Sequence, residues 1–310
     1  MSSLYLTLGI VTALFSAGRS TWSPCGLSML SSITPFGERA RGTRYAWTSA
    51  WFFVGAVAGG ASLGAIASLL TLAISLAFGL SGVAGASGGL TGVVLAVVCS
   101  AAGLLGAAAD LGAFGAVLPV LRRQVDDGWM ARLRPWVYGS GFGWQIGFGM
   151  ATYVMTAGVA VTIVFSVAAG LAVNSVLATL AVCMTFGAAR GATILLTSKA
   201  DTPERLREVH RRLDRLEEPV KFAAAIAQAA SVLAIAGSLV IAGPGFASRP
   251  RQLLWPLLLA ALAGALAIVA PTVRSLRFER TASRPVRDAS PHAPASPRAP
   301  ASRRVGLERR

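Results

Sequence analysis

Residues 46–79, AWTSAWFFVGAVAGGASLGAIASLLTLAISLAFG, contain no charged side chain and no proline. The run is well beyond the roughly 20 apolar residues an α-helix needs to cross a bilayer core. Outward from it, the chain repeats the pattern. Cutting at charged or turn-rich interruptions leaves further apolar stretches at 4–34, 89–120, 136–170, 173–198, 219–243 and 252–273. Over the 310 residues, 54% are hydrophobic and only 13% charged, too few charges to cover a water-facing surface. The expectation is an all-α polytopic membrane protein with about seven transmembrane helices, the lipid bilayer being its first partner.

The net charge of +15 is concentrated rather than spread. It lies in Arg39/Arg41/Arg44, in Arg122/Arg123/Arg132/Arg134, in the mixed segment 199–221, and after Arg274. Placing these basic segments on the cytoplasmic side gives one consistent topology in the cytoplasmic (inner) membrane, with the N-terminus outside and the C-terminus cytoplasmic. Arg249 and Arg251 then fall in an outer loop. Positive-inside anchoring accounts for the charge, so no nucleic-acid partner is expected. The start, Met-Ser-Ser-Leu-Tyr, has no basic residue before the apolar run, so a cleaved signal peptide is not expected.

Two organisational units follow: a transmembrane helical domain over 1–273, and a basic cytoplasmic tail over 274–310. The tail is rich in Arg, Pro, Ala and Ser without apolar periodicity, and is expected to be disordered. Segment 201–218, DTPERLREVHRRLDRLEE, reads as a separate amphipathic helix. Asp201 and Glu204 suit its start, Leu206, Val209, Leu213 and Leu216 form its apolar stripe, and Pro219 is expected to end it. It is expected to lie on the membrane surface or on neighbouring helices, the alternative being a docking helix for a partner. The transmembrane domain divides into repeat one, 4–120, and repeat two, 136–243, followed by an extra helix at 252–273. Aligning WSPCGLSML (22–30) with VMTAGVAVT (154–162) sets Gly26 opposite Gly158. An odd number of spans per copy makes the second copy inverted, so the plan is two inverted three-helix repeats plus a C-terminal helix.

Within the first span, AGRSTWSPCGLSMLSSITP (17–35) carries the chemistry. A proline there removes a backbone hydrogen bond and disfavours helix at the residue before it, so the helix should break at Ser23-Pro24. Cys25 then starts a new half-helix, where free N–H groups and the positive dipole end favour a thiolate, with Arg19 close by. Such a break is tolerated at membrane depth only against protein or a water-filled cavity, so a reactive thiol reachable from water is expected. The SPC motif after a short glycine-containing span, followed by a helix and a basic loop, resembles the transmembrane family of the cytochrome c biogenesis protein CcdA and the thiol-disulfide interchange protein DsbD. The resemblance implies a relay of reducing equivalents from cytoplasmic thioredoxin to an extracytoplasmic thiol protein, with Cys25 and Pro24 as its first site. The matching position of the second repeat is Ala157, so a second sulfur would have to come from Cys99 or Cys183.

Four more polar residues stand in or near spans, where charge is costly and usually functional: Asp110, Gln145, Asn174 and Arg190. Asp110 and Arg190 are expected at comparable depth, as a pair lining a path with Arg19 and Gln145. That would suit a transporter of a small solute or ion on the same scaffold; a membrane scaffold for assembling another complex is a third possibility. Gly139, Gly143 and Gly147 recur at four-residue spacing and predict a close-packing helix face. No Ser/His/Asp set, carboxylate pair or metal-ligand cluster is present. No cofactor is implied, and hydrolase and metalloenzyme chemistry are not supported.

Overall fold

A computed structural model describes residues 2–79, 89–112, 128–151 and 156–241. Ten α-helices make up the described residues, and no strand occurs among them. They are α1 (Ser2–Arg19), α2 (Pro24–Ser32), α3 (Pro35–Ala40), α4 (Tyr45–Ala77), α5 (Gly89–Asp110), α6 (Trp129–Arg132), α7 (Pro135–Phe148), α8 (Gly158–Val173), α9 (Val176–Ala192) and α10 (Pro203–Ile241). Short 3₁₀ turns at Ser20–Trp22 and Thr193–Thr197 follow α1 and α9. Among the described residues, four helical stretches are long and apolar enough to cross a bilayer: Tyr45–Ala77, Gly92–Asp110, Val176–Thr197 and Pro203–Ser238. The chain is thus a helical protein of membrane type. The expected last span, 252–273, and the tail, 274–310, lie outside the described residues.

The first apolar stretch, expected as a span, breaks where the sequence predicts. Ser23 is extended at ψ 147°, as a residue before proline prefers, and its hydroxyl accepts from the Gly26 N–H at 3.1 Å to cap α2. Thr34 and Pro35 repeat the device at α3, with Gly37 N–H donating to Thr34 Oγ1 at 3.0 Å.

Two expected boundaries are corrected. The apolar run 136–170 is not one span but two half-helices, α7 and α8, of 14 and 16 residues. The chain leaves α7 through Gly149 at φ 74°, where a side chain would be strained and would also meet the Phe186 ring. Conversely, the amphipathic segment 201–218 and the following apolar stretch form one helix, α10, which runs through Pro219. Proline there costs the bond to the Arg215 carbonyl. Both residues are exposed, so water can serve that carbonyl and the helix continues. At about 1.5 Å per residue, its 39 residues extend roughly 58 Å, far more than the ~30 Å hydrocarbon core. Its charged first half therefore projects beyond the bilayer. There Asp201–Arg205 and Glu208–Arg212 pair one turn apart.

Helix α4 lies between α7 and α9, and glycine makes that possible. A methyl group at Gly143 would collide with the Phe52 carbonyl oxygen, and one at Gly147 or Gly187 with that of Ala56. The Gly139/Gly143/Gly147 face thus does what its spacing predicts. Asn174 is a turn residue: at φ 51° it caps α8 before α9 begins.

Candidate functional site at two helix breaks

The break in the first span and the break between α7 and α8 meet inside the bundle. Ser16 Oγ donates to the Gly158 carbonyl at 3.0 Å, which ties the end of α1 to the start of α8. Each break leaves backbone groups without helical partners, and each is met by one buried charge.

Asp110, 6% exposed at the end of α5, serves the second break. Its Oδ1 accepts from the Ala157 N–H at 2.7 Å, and its Oδ2 from Thr156 Oγ1 at 2.8 Å. Thr156 Oγ1 in turn accepts from the Gly158 N–H at 3.0 Å. A carboxylate thus sits at the N-terminus of α8, the end where the helix dipole favours negative charge. Gln228 on α10 adds Nε2 to Oδ2 at 3.3 Å. Arg190, 3% exposed on α9, serves the first break: Nη2 donates to the Ser20 carbonyl at 3.1 Å and to Ser23 Oγ at 3.3 Å. A cation thus meets a carbonyl where the first helix ends.

The expected Asp110–Arg190 pair therefore does not form. The two charges are divided between the two breaks, because unpaired backbone groups at membrane depth need partners more than the charges need each other. Gln145, half-buried on α7, joins neither arrangement.

Cys25 occupies the first turn of α2 as expected, but it is 0% exposed. It packs in an apolar cluster with Met29, Leu30, Ile33 and Phe142, within electrostatic reach of Arg190. The expectation of a thiol open to water is corrected by this packing. Cys99 and Cys183 belong to a different apolar cluster, with Phe165 and Phe186. All three cysteines are thiols rather than disulfides.

Arg19 does not stand over Cys25. It is 7% exposed, faces Asp110, and approaches Glu217 of α10 with Nη1 at 3.7 Å. Its Nε and Nη1 have no hydrogen-bond partner, and neither does Gln228 Oε1. Buried guanidinium donors without acceptors are costly, and rare unless water or a ligand completes them. Asp110 by contrast already accepts from three donors, so the site's polar atoms without a hydrogen-bond partner are Arg19 Nε and Nη1 and Gln228 Oε1.

A second polar centre, Glu38 on α3, is not apparent from the sequence. It is 0% exposed and accepts from Arg41, Thr43, Thr48 Oγ1 at 2.6 Å and Tyr138 at 2.8 Å. Burial alone would raise its carboxyl pKa, but the four donors outweigh that and hold it below the usual glutamate value. The signal that was available is its position as the lone acid in GERARGTR. Gln228, a single amide in the apolar run AIAQAAS, was equally visible and equally unweighed. His210 joins α10 to α2, with Nε2 2.9 Å from Ser31 Oγ.

Comparison with known proteins bears on what this site serves. The chain is similar to the methylamine utilization protein MauF of Paracoccus versutus, 32% identical over 162 residues, which are 50% of this chain and 54% of that protein. MauF of Methylorubrum extorquens is 33% identical over 138 residues, 44% of this chain and 45% of the relative. MauF of Methylophilus methylotrophus is 31% identical over 162 residues, half of each chain. The chain spans about half the length of the curated relatives it matches. No family model and no solved structure matches it. These relatives overturn the resemblance to CcdA and DsbD, since every relative found carries the MauF name. The expected thioredoxin and extracytoplasmic thiol partners go with that resemblance. The SPC motif that carried it has a structural reading instead: a serine cap, a proline at the first helical position, and a packed cysteine.

Proposed function

We propose that the chain is a multi-pass membrane protein of an amine-utilisation system that binds a small polar solute where its two helix breaks meet, and moves it across the bilayer. The relatives' name supplies the setting. One observation carries the rest: Nε and Nη1 of Arg19, a residue 7% exposed beside Asp110, have no hydrogen-bond acceptor, the Glu217 carboxylate approaching Nη1 only to 3.7 Å. A solute offering a carboxylate or carbonyl oxygen to Arg19, and a donor to Gln228 Oε1, completes both. A bare cation such as methylammonium suits the site poorly, because Asp110 already accepts from three donors and Arg19 repels the cation.

An inverted repeat is part of this reading and has support in the packing. With α1–α2, α4 and α5 as one copy and α7–α8, α9 and α10 as the other, the α4–α7 contact has α9–α1 as its counterpart. Likewise α1–α10 has α8–α5. The scaffold alternative is disfavoured by α10 itself. Its apolar stripe is partly used within the chain, with Leu213 buried and its carbonyl accepting from Trp22 Nε1 at 3.1 Å.

The test is flux in proteoliposomes of the full chain, using labelled acetate, a neutral amide and methylammonium. Uptake of an acceptor-bearing solute that falls at least tenfold in Arg19→Gln supports the proposal. Equal flux in both proteins, or none for any solute in wild type, refutes it.

A further inference from the structure

A cavity of about 590 Å³ opens beside the Glu38 centre, with walls that include Arg41, Thr43, Met130, Leu133, Pro135 and Tyr138. Its depth can be read from two features. Helix α4, a span by length and composition, begins at Tyr45, directly after the Arg39–Arg44 loop. Three tryptophans gather at that same end, Trp47 with Trp51 at 5.9 Å and Trp51 with Trp136 at 6.1 Å between ring centroids, and Trp47 and Trp136 are exposed. Exposed tryptophans beside arginines mark the headgroup level of a bilayer.

Among the described residues, the exposed charges that flank the lining in the chain are arginines. Arg39 and Arg44 border Arg41 in the chain, while Arg132 and Arg134 border the lining residues of α6 and α7; all are exposed. The one acid in 35–48 and 128–138, Glu38, is enclosed behind the wall with its oxygens already engaged by Arg41, Thr43, Thr48 and Tyr138. Among the described residues, a visitor at the mouth therefore meets Arg41 with further arginines beside the lining in the chain, above a floor of Met130, Leu133 and Pro135.

We infer that this cavity is a binding site for an anionic glycerophospholipid, its phosphate at the arginine mouth and its glycerol end on the apolar floor. The depth, the excess of arginine over acid among the described residues around the mouth, and the half-apolar lining each match one part of that molecule. The inference does not depend on the solute site, because the cavity shares no residue with it.

The experiment is native mass spectrometry of the full chain released from detergent, with added phosphatidylglycerol, phosphatidylcholine or inorganic phosphate. Retention of phosphatidylglycerol should exceed that of phosphatidylcholine by roughly fivefold or more, about what one surface arginine contributes. Ala131 also lines the cavity, and Ala131→Trp fills it without changing charge, whereas Leu133→Asp sets a negative charge on its floor. Both positions are exposed, so the fold is kept, and each variant should abolish the preference. Equal retention of the two lipids in wild type overturns the inference. So does a preference that survives both variants. Displacement of the lipid by millimolar inorganic phosphate also overturns it, and assigns the site to free anions.

Discussion

Replacing Asp110 by asparagine should separate its charge from its shape. The asparagine carbonyl can still accept from the Ala157 N–H, now 2.7 Å from Oδ1. The amide nitrogen takes the place of Oδ2, where Thr156 and Gln228 both donate. Thr156 has to turn its hydrogen away, and Gln228 has to flip to offer Oε1, which is without a partner in the native arrangement. Two short charge-assisted bonds become neutral ones, at about 1 kcal/mol each. The Asp110→Asn variant should therefore lose about 2 kcal/mol. Asp110→Ala removes the acceptor of the Ala157 N–H and of the Thr156 hydroxyl and leaves Arg19 with only the Glu217 carboxylate at 3.7 Å as counter-charge; it should lose about 3–5 kcal/mol. Denaturant titration in detergent micelles measures both, and amide hydrogen exchange at Ala157 adds a local readout. That amide should stay protected in Asp110→Asn and exchange freely in Asp110→Ala. If the two variants cost the same, or Ala157 exchanges alike in both, Asp110 does not brace the break.

Other consequences concern the remaining parts of the bundle. Gly143→Leu should cost 1–3 kcal/mol or more, because α7 can then no longer approach the Phe52 carbonyl; thermal unfolding and cross-linking between α4 and α7 should both report it. Glu38 contributes stability while ionised, since its folded pKa is depressed. That contribution is present above the ordinary glutamate value of 4.5 and is lost as pH falls below it toward the folded value. Unfolding midpoints for wild type should drop through that range, whereas Glu38→Gln should be less stable at neutral pH and flatter in acid. Cys25, packed at 0% exposure, should resist maleimide in the folded protein at neutral pH and react only on unfolding; rapid labelling of the native protein would contradict its placement.

The sequence carried the membrane class plainly, because length and lack of charge leave a run such as 46–79 few other fates. It also carried the break at Ser23-Pro24 and the glycine face of α7, where residue type alone enforces geometry. The second break was not legible: no proline marks it, and the left-handed Gly149 looks like any other glycine in GSGFGWQIGFGM. Pro219 misled in the opposite direction, since a proline stops a helix only where its lost bond cannot be replaced by water. The charged residues were visible but their partners were not. Asp110 and Arg190 suggested a pair by depth, yet each answers unpaired backbone groups far off in the chain, 47 residues away for Asp110 and 170 for Arg190. Glu38 illustrates the same limit, since its donors come from the following loop, α4 and α7.

The most direct test of the account is the ¹⁵N spectrum of arginine side chains in the full-length protein, with the Arg19 Nε–H resonance assigned by its loss in Arg19→Gln. The account predicts that a small carboxylate such as acetate shifts this resonance in a saturable way while that of Arg190, already committed to Ser20 and Ser23, stays in place. An Arg19 resonance that is unmoved by every acceptor-bearing solute, or that moves no more than Arg190, would contradict it.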